Sequence, residues 1–214
     1  MDNKISQGEN YWKNRPLIDK KHSDWREKDG NWIDAYWNSR LHPHRALIMK
    51  ELKELVPFHS VLEVGCNCGP NLWNIKQEYP GVRVFGIDIN KYCILKAIKY
   101  LPEGNFSLGE VDKIPFPDKS FDILLTDAVL IYVGPKKIKK VIKEFIRVTK
   151  KAMIFVEWKG NSKLGEVQYS HWARDYSALL KDFGLTCKLI KIPKEIWSSP
   201  NWAELGYIFV CPIA

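Results

Sequence analysis

Val61-Leu-Glu-Val-Gly65-Cys-Asn-Cys-Gly69 is the stretch on which the fold turns. Val61 to Val64 read as a buried strand, Gly65 opens a Gly/Asn/Cys turn, and the spacing predicts a helix over about 70–79. A glycine-bearing turn between strand and helix lets the backbone approach a ligand, and the start of the helix supplies N–H groups without helical partners.

The pattern repeats downstream. A second strand, Val82-Arg-Val-Phe-Gly-Ile, ends at Asp88, and a helix covers 90–101. A third strand starts at Asn105, a two-proline loop fills 112–120, and a fourth strand starts at Phe121. An amphipathic helix over 135–150 leads into a fifth strand at Ala152, and 170–183 reads as helical. Two last strands, about 186–192 and 206–212, have no helix between them and should pair as a hairpin. Strands alternating with helices give a parallel sheet covered on both faces. The expected fold class is therefore α/β: a doubly wound, Rossmann-like three-layer sandwich with seven mostly parallel strands and an antiparallel C-terminal hairpin strand.

Upstream, residues 1–41 read as short helices and loops, and Pro43 begins a helix carrying Leu47, Ile48, Leu52 and Leu55 up to Pro57. The expected division is an N-terminal helical appendage or lid over 1–57 and a cofactor-binding domain over 58–214.

Asp88 lies 23 positions beyond Gly65, where an acid at a strand end can hold two ribose hydroxyls. A nucleoside-containing cofactor follows. The dinucleotide fingerprint G-x-G-x-x-G fails, because Asn67 and Pro70 replace its second and third glycines, which disfavours a nicotinamide enzyme.

With these residues in view, the sequence resembles the class I S-adenosylmethionine-dependent methyltransferases, of small-molecule type. The likeness covers about 58–160 well and 170–212 in topology. The family's E/D-x-G-x-G-x-G appears as Glu63, Gly65, Cys66, Asn67 and Gly69, with Asn67 departing from the middle glycine. The resemblance places Asp88 on the ribose and Ile89 against the adenine. The stretch Gly109-Glu110-Val111-Asp112-Lys-Ile-Pro-Phe-Pro-Asp-Lys-Ser-Phe-Asp resembles a third family motif. It implies that Glu110 receives the adenine amino group and that the Val111 N–H meets a ring nitrogen. The implied cofactor is S-adenosyl-L-methionine, leaving S-adenosyl-L-homocysteine as product.

Methyl transfer from a sulfonium needs alignment above all, and a base only where the nucleophile carries a proton. Asp127 and His171 are the candidate catalytic groups, with Asp127 also expected to touch cofactor. Tyr132, Glu157 and Trp158 join them at strand ends as candidate pocket residues. Thr126-Asp-Ala-Val is neither the Asn/Asp-Pro-Pro-Tyr of amino-methylating nucleic-acid enzymes nor a Pro-Cys nucleophile. In the appendage, Arg40, His44 or Arg45 are candidates for the methionine carboxylate, and Tyr36 or Trp37 for the sulfonium. The alternative is that Trp37 merely anchors the appendage. Trp172, Trp197 and Trp202 read either as an acceptor pocket or as core.

The chain has 214 residues with 33 basic and 25 acidic side chains, a net charge of +8. Residues 135–151 alone carry +7, so the charge reads as the solvent face of one helix, with docking of an anionic partner as the alternative. That leaves nucleic acid disfavoured though still open, and no 18-residue apolar run suggests a membrane span. Five cysteines without a C-x-x-C pair, and a Met1-Asp-Asn-Lys-Ile start without an apolar run, give the expectation of reduced thiols, no metal and a cytoplasmic location. The leading functional expectation is a small-molecule methyltransferase, monomer or homodimer. A methyltransferase acting on RNA or protein and a non-catalytic cofactor-binding scaffold stay open beside it.

Overall fold

The computed structural model describes residues 8–19 and 31–213; the Met1–Ile5 start and Trp25 lie outside the described residues. Strand β1 (Ser60–Val64) is buried at every position, as a strand covered on both faces must be. It pairs in parallel with β2 (Arg83–Asp88) on one side and with β4 (Phe121–Asp127) on the other. Outside β2 lies β3 (Asn105–Leu108), and outside β4 lies β5 (Thr149–Trp158), both parallel to their neighbours. The last strand, β9 (Gly206–Pro212), runs antiparallel to β5 and to the edge strand β8 (Lys188–Lys191). The resulting seven-stranded sheet has the order β3-β2-β1-β4-β5-β9-β8, which is the expected doubly wound arrangement.

Alternation along the strands feeds two apolar layers. Val61, Ile123 and Ile154 face one layer, while Leu62, Leu124 and Phe155 face the other. The first layer receives α3 (His44–Lys53), α4 (Pro70–Glu78) and α5 (Lys91–Tyr100) through Ile48, Leu52, Leu72, Ile75 and Ile94. The second receives α6 (Ile138–Val148) and α7 (Tyr176–Lys181). On α6 the buried side chains are Ile138, Val141, Ile142, Phe145 and Val148, an apolar stripe at helical spacing.

Local departures from the expected elements have identifiable causes. The helix expected over 135–150 is shorter at both ends, because Thr149 already begins β5. The stretch 170–183 is two elements, a hairpin of β6 (Glu166–Gln168) with β7 (His171–Ala173), and then α7. Its turn residues, Tyr169 and Ser170, both have positive φ, the geometry of a mirror-image hairpin turn without the Asn-Gly signature that reveals such turns in sequence. A short helix, α8 (Pro200–Leu205), separates β8 from β9, so they pair without a tight hairpin.

The expectation of five reduced thiols is also corrected. Lys188 stands opposite Val210, so Cys187 falls opposite Cys211, and the two form a disulfide. Cys66, Cys68 and Cys93 are free and buried. Part of the basic segment is neutralised locally. Lys137 pairs with Glu9 and Asp112, Lys140 with Asp112, and Arg147 with Asp118 and Glu144. Among the described residues no helix is long and apolar enough to cross a membrane.

The N-terminal segment contributes α1 (Glu9–Asn14), α2 (Trp32–Asn38) and a 3-10 turn at Ser39–Leu41. Trp32 and Ile33 are fully buried with Cys68 and Cys93, and Trp12, Tyr36 and Trp37 pack around them. Asn90 ties α1 to the sheet. Its Oδ1 accepts from the Tyr92 and Cys93 N–H groups and caps α5, while its Nδ2 donates to the Trp12 and Arg15 carbonyls at 2.8 and 2.9 Å. Asn90→Ser keeps a capping oxygen and loses both tethering donors. It is expected to speed hydrogen exchange of the α1 amides while leaving those of β1 and β4 protected. Unchanged α1 protection would show that the tether does not hold the helix.

Candidate functional site

Strand order reverses between β1 and β4, and in open sheets of this kind the ligand crevice opens at the carboxyl ends there. A cavity of about 660 Å³ fills that place. Its floor is the turn after β1, the ends of β2 and β4, and Gly109 with Val111; Glu9, Trp12, Tyr36, Ser39, His42, His44 and Arg45 come in from the N-terminal segment. Trp197, Ser198, Ser199, Asn201 and Trp202 close it from the C-terminal side.

The turn is built for close approach. Gly65 has φ +74°, and a Cβ there would lie 2.4 Å from Val129 Cγ2. Asn67, at the family's middle glycine, also has positive φ, +51°, a conformation asparagine tolerates better than most residues. Its Oδ1 accepts from the Cys68 N–H at 2.7 Å, and its own N–H donates to Asp88 Oδ2 at 2.8 Å. The asparagine thus pins its own positive-φ turn with its side chain.

Four carboxyl groups surround this floor in different states. Burial pushes Glu63 up to about 8, outweighing the hydrogen bond from Asn71 Nδ2 at 2.7 Å to its Oε1; its Oε2 is buried without a partner. Burial in the cavity wall also raises Asp88, to about 6, against the donation of the Asn90 and Asn67 N–H groups. Glu157 is raised by burial to about 7, although its oxygens accept from the Val129, Leu130 and Ile131 N–H groups at 3.0, 3.0 and 3.2 Å. Asp127 goes the other way. Burial alone would raise it, but His44, Arg45 and Asn71 hold it well below the usual carboxylate range. Its Oδ2 receives His44 Nε2 at 2.9 Å, Asn71 Nδ2 at 3.0 Å and Arg45 Nη1 at 3.2 Å.

The loop after β4 is fixed from both sides. While Glu157 takes its N–H groups, the fully buried Arg174 donates to the Leu130 carbonyl at 2.7 Å and to that of Val133. Beside this loop the cavity is aromatic. His171 lies 5.1 Å from the Tyr132 ring and 5.2 Å from Trp158, and Trp197 stacks on Trp202 at 3.8 Å. His44 lies 4.3 Å from Trp197.

Of the residues expected to hold cofactor, Glu63, Gly65, Cys66, Asn67, Asp88, Ile89, Val111, Asp127 and His44 line the cavity, and so does His171. Gly69 stands behind it, capping α4 with φ +83°. Glu110 lies outside, its carboxylate paired with Lys13 at 2.9 Å, because α1 crosses the strand end there. Arg40 is also outside. It donates to the Trp37 carbonyl and packs over the Trp37 and Trp73 rings, since the 3-10 turn directs it away from the crevice. Trp37 stacks on Tyr100 at 4.5 Å as an anchor of the appendage, leaving Tyr36 to line the cavity. Trp197 and Trp202 line it, whereas Trp172 packs under the Arg174 guanidinium. Sequence reasoning missed Asn71, which bridges Glu63 and Asp127, and Arg174; neither belongs to a motif, and only tertiary proximity gives them a role.

These acids set a pH dependence. Glu63, Asp88 and Glu157 have folded values above their unfolded ones, so the folded chain binds more protons across that interval. Their contribution is complete below the unfolded carboxyl range and is lost as pH rises through about 6 to 8. The urea midpoint should fall between pH 5 and pH 8, and Glu63→Gln should flatten that fall. A slope untouched by Glu63→Gln would place the titration elsewhere.

Comparison with known proteins agrees with this architecture. The family described as "Methyltransferase domain" matches residues 61–152. Sterol 24-C-methyltransferase ERG6B of Gibberella zeae is 36% identical over 110 residues, which are 48% of this chain and 28% of that protein. Trans-aconitate 2-methyltransferase of Delftia acidovorans is 29% identical over 99 residues, 45% of this chain and 36% of that protein. The chain therefore spans about a third of the length of these curated relatives. A SAM dependent methyltransferase from Aquifex aeolicus superposes with a TM-score of 0.62 at 21% identity, over 88% of this chain and 100% of the other. Motif, strand order and crevice coincide in the matched segment: residues 61–152 match a methyltransferase domain, and the chain shares its fold with S-adenosylmethionine-dependent methyltransferases.

Proposed function

We propose that the chain binds S-adenosylmethionine at the β1–β2 end of its cavity and methylates a small-molecule acceptor held at the aromatic end. The observation that carries this reading is a single cavity joining an acid-lined end to an aromatic one, about 660 Å³ in all. That volume lies within the roughly 300–1,000 Å³ of pockets that enclose small molecules. The residues at the acid end suit the cofactor. The partnerless Glu63 Oε2 is the complement of an α-ammonium group, and Asp88 stands where two ribose hydroxyls can be received. Ile89 and Val111 offer apolar contact to a purine.

When bound, the cofactor supplies a methyl group already activated on a sulfonium. The protein's part is alignment and exclusion of water, worth roughly 7–11 kcal/mol when geometry is fixed in advance. Glu63, Asp88 and the Gly65–Asn67 turn fix one partner. Tyr132, Trp158, His171, Trp197 and Trp202 form a wall for the other, and Trp12 with Tyr36 covers both from the N-terminal side. The charged groups near the aromatic wall are already paired: Asp127 with His44 and Arg45, and Glu9 with Lys137. A neutral acceptor suits such a wall.

The test is calorimetric titration with S-adenosylmethionine, then transfer of labelled methyl into fractionated cell extract. Binding should strengthen from pH 6 to pH 8, as Glu63 and Asp88 ionise, and Asp88→Ala should weaken it. Label should enter the small-molecule fraction. Label in RNA or protein would overturn the acceptor assignment, and binding without transfer to any fraction would overturn the enzymatic one.

A further inference from the structure

One member of the aromatic wall can also move a proton. His171, the first residue of β7, lines the cavity, and its Nδ1 meets the Tyr169 carbonyl at 2.9 Å. We infer that His171 is the general base of the reaction and that the acceptor is an aryl hydroxyl, whose proton it takes at Nε2. The inference rests on the methyltransferase reading for the reaction, but the state of the imidazole does not.

The tautomer follows from the partner. A carbonyl oxygen only accepts, so His171 Nδ1 carries a hydrogen in both protonation states. Neutral His171 therefore has its lone pair on Nε2, which has no hydrogen-bond partner among the described residues. The hairpin is bent to make the carbonyl contact. Tyr169 and Ser170, immediately before His171, have φ of +46° and +64°, a region that non-glycine residues rarely adopt. The turn is fastened at its tip, where the Tyr169 hydroxyl donates to Glu204 on α8. Burial holds His171 below its ordinary pKa, outweighing the opposite effect of the Tyr169 carbonyl. The ring is thus uncharged, and basic, at neutral pH.

The same ring selects the acidity of the acceptor. A weak base suits a hydroxyl whose pKa is not far above its own, such as an aryl hydroxyl at about 10, as in tyrosine. An alkanol, nearly as weak an acid as water, is out of its reach, and a carboxylic acid is already ionised and needs no base. An aryl ring also suits the wall. Trp158 lies 5.2 Å from His171 and 5.9 Å from Trp202, edge-on to both, so the base stands one ring away from the Trp197–Trp202 stack. Titratable groups on the elements around His171 are engaged with other partners. Glu157, on β5, holds the N–H groups of the loop after β4, and Arg174 holds the carbonyls of that loop. Glu166 accepts from the Asn161 N–H and Glu204 from Tyr169, while Tyr132 presents its ring to His171 at 5.1 Å. In the step, the O–H bond breaks, its proton goes to His171 Nε2, and its electron pair stays on oxygen. The oxygen bonds to the methyl carbon of S-adenosylmethionine as the carbon–sulfur bond breaks, the pair of that bond remaining on sulfur. An aryl methyl ether results, and His171 returns its proton to water.

Imidazole nitrogen spectra of the full chain test the state of His171 without cofactor, its signals being those lost in His171→Gln. At pH 8 Nδ1 should be protonated and Nε2 not, and the ring should titrate below the ordinary histidine value of about 6.5. The opposite tautomer, or a titration above that value, would overturn the base. The reaction is tested with saturating labelled S-adenosylmethionine and the small-molecule fraction of cell extract. Wild-type transfer should fall as pH drops through the His171 titration. His171→Gln should lower transfer by about 10²–10⁴-fold at neutral pH, regain rate as pH rises and the acceptor ionises unaided, and keep its cofactor affinity. The labelled product should absorb in the near ultraviolet, resist alkaline hydrolysis and stay out of an acid extract, as an aryl ether does. Undiminished transfer, or lost cofactor affinity, in His171→Gln would overturn the base. Label released by alkali, drawn into acid or without ultraviolet absorption would overturn the aryl hydroxyl. Absence of cofactor binding or of transfer in the wild type would overturn the methyltransferase reading and the acceptor with it, while the spectra still decide the state of His171.

Discussion

One oxygen atom joins the parts of the cavity. Asp127 Oδ2, at the end of β4, receives donors from His44 and Arg45 on α3 and from Asn71 on α4. A buried carboxylate tolerates its loss of hydration only when such partners are in place. The sheet, the first helix after the cofactor turn and the segment preceding the domain are thus fastened at a single point. Asn71 extends the connection to Glu63, and Arg45 reaches back to the Ser39 carbonyl at 3.0 Å. The position of His42 and its contact with Trp197 follow from where α3 is pinned. Roof and floor of the cavity are one hydrogen-bonded unit rather than two surfaces in contact.

Around that unit the electrostatics divide by end. Glu63 lacks a complete set of donors and is held toward its neutral form. Asp127 has its donors and stays ionised. Two carboxyl groups joined through one asparagine therefore differ in protonation because of what each is given to accept. The fold thus keeps a proton-holding acid beside an ionised one.

The doubly wound sheet and the cofactor turn were legible because they rest on local rules: apolar runs of strand length, a glycine at positive φ, an acid at the next strand end. The C-terminal third was less so. A turn of Tyr169 and Ser170 uses a conformation their side chains do not advertise, and the Cys187–Cys211 pairing depends on strand register. At the site, Glu63, Asp88 and Asp127 could be placed from strand ends alone. Arg40 and Glu110 could not, since their directions are decided by Trp37, Trp73 and Lys13, partners far away in sequence or outside any motif. Asn67 shows the opposite case, where a departure from a motif holds its own positive-φ turn through its side chain.

The loop between β4 and α6 carries a last consequence. Glu157 holds three successive N–H groups of it and Arg174 two of its carbonyls. This wall is already ordered before any guest arrives, so entry of a molecule does not have to freeze it, and association keeps the free energy that ordering a loose segment would consume. A wall that is rigid in advance also cannot remould itself. Selectivity at the aromatic end is then a matter of fixed outline, and a guest with a bulkier contour meets a barrier that rotation of a few side chains does not remove.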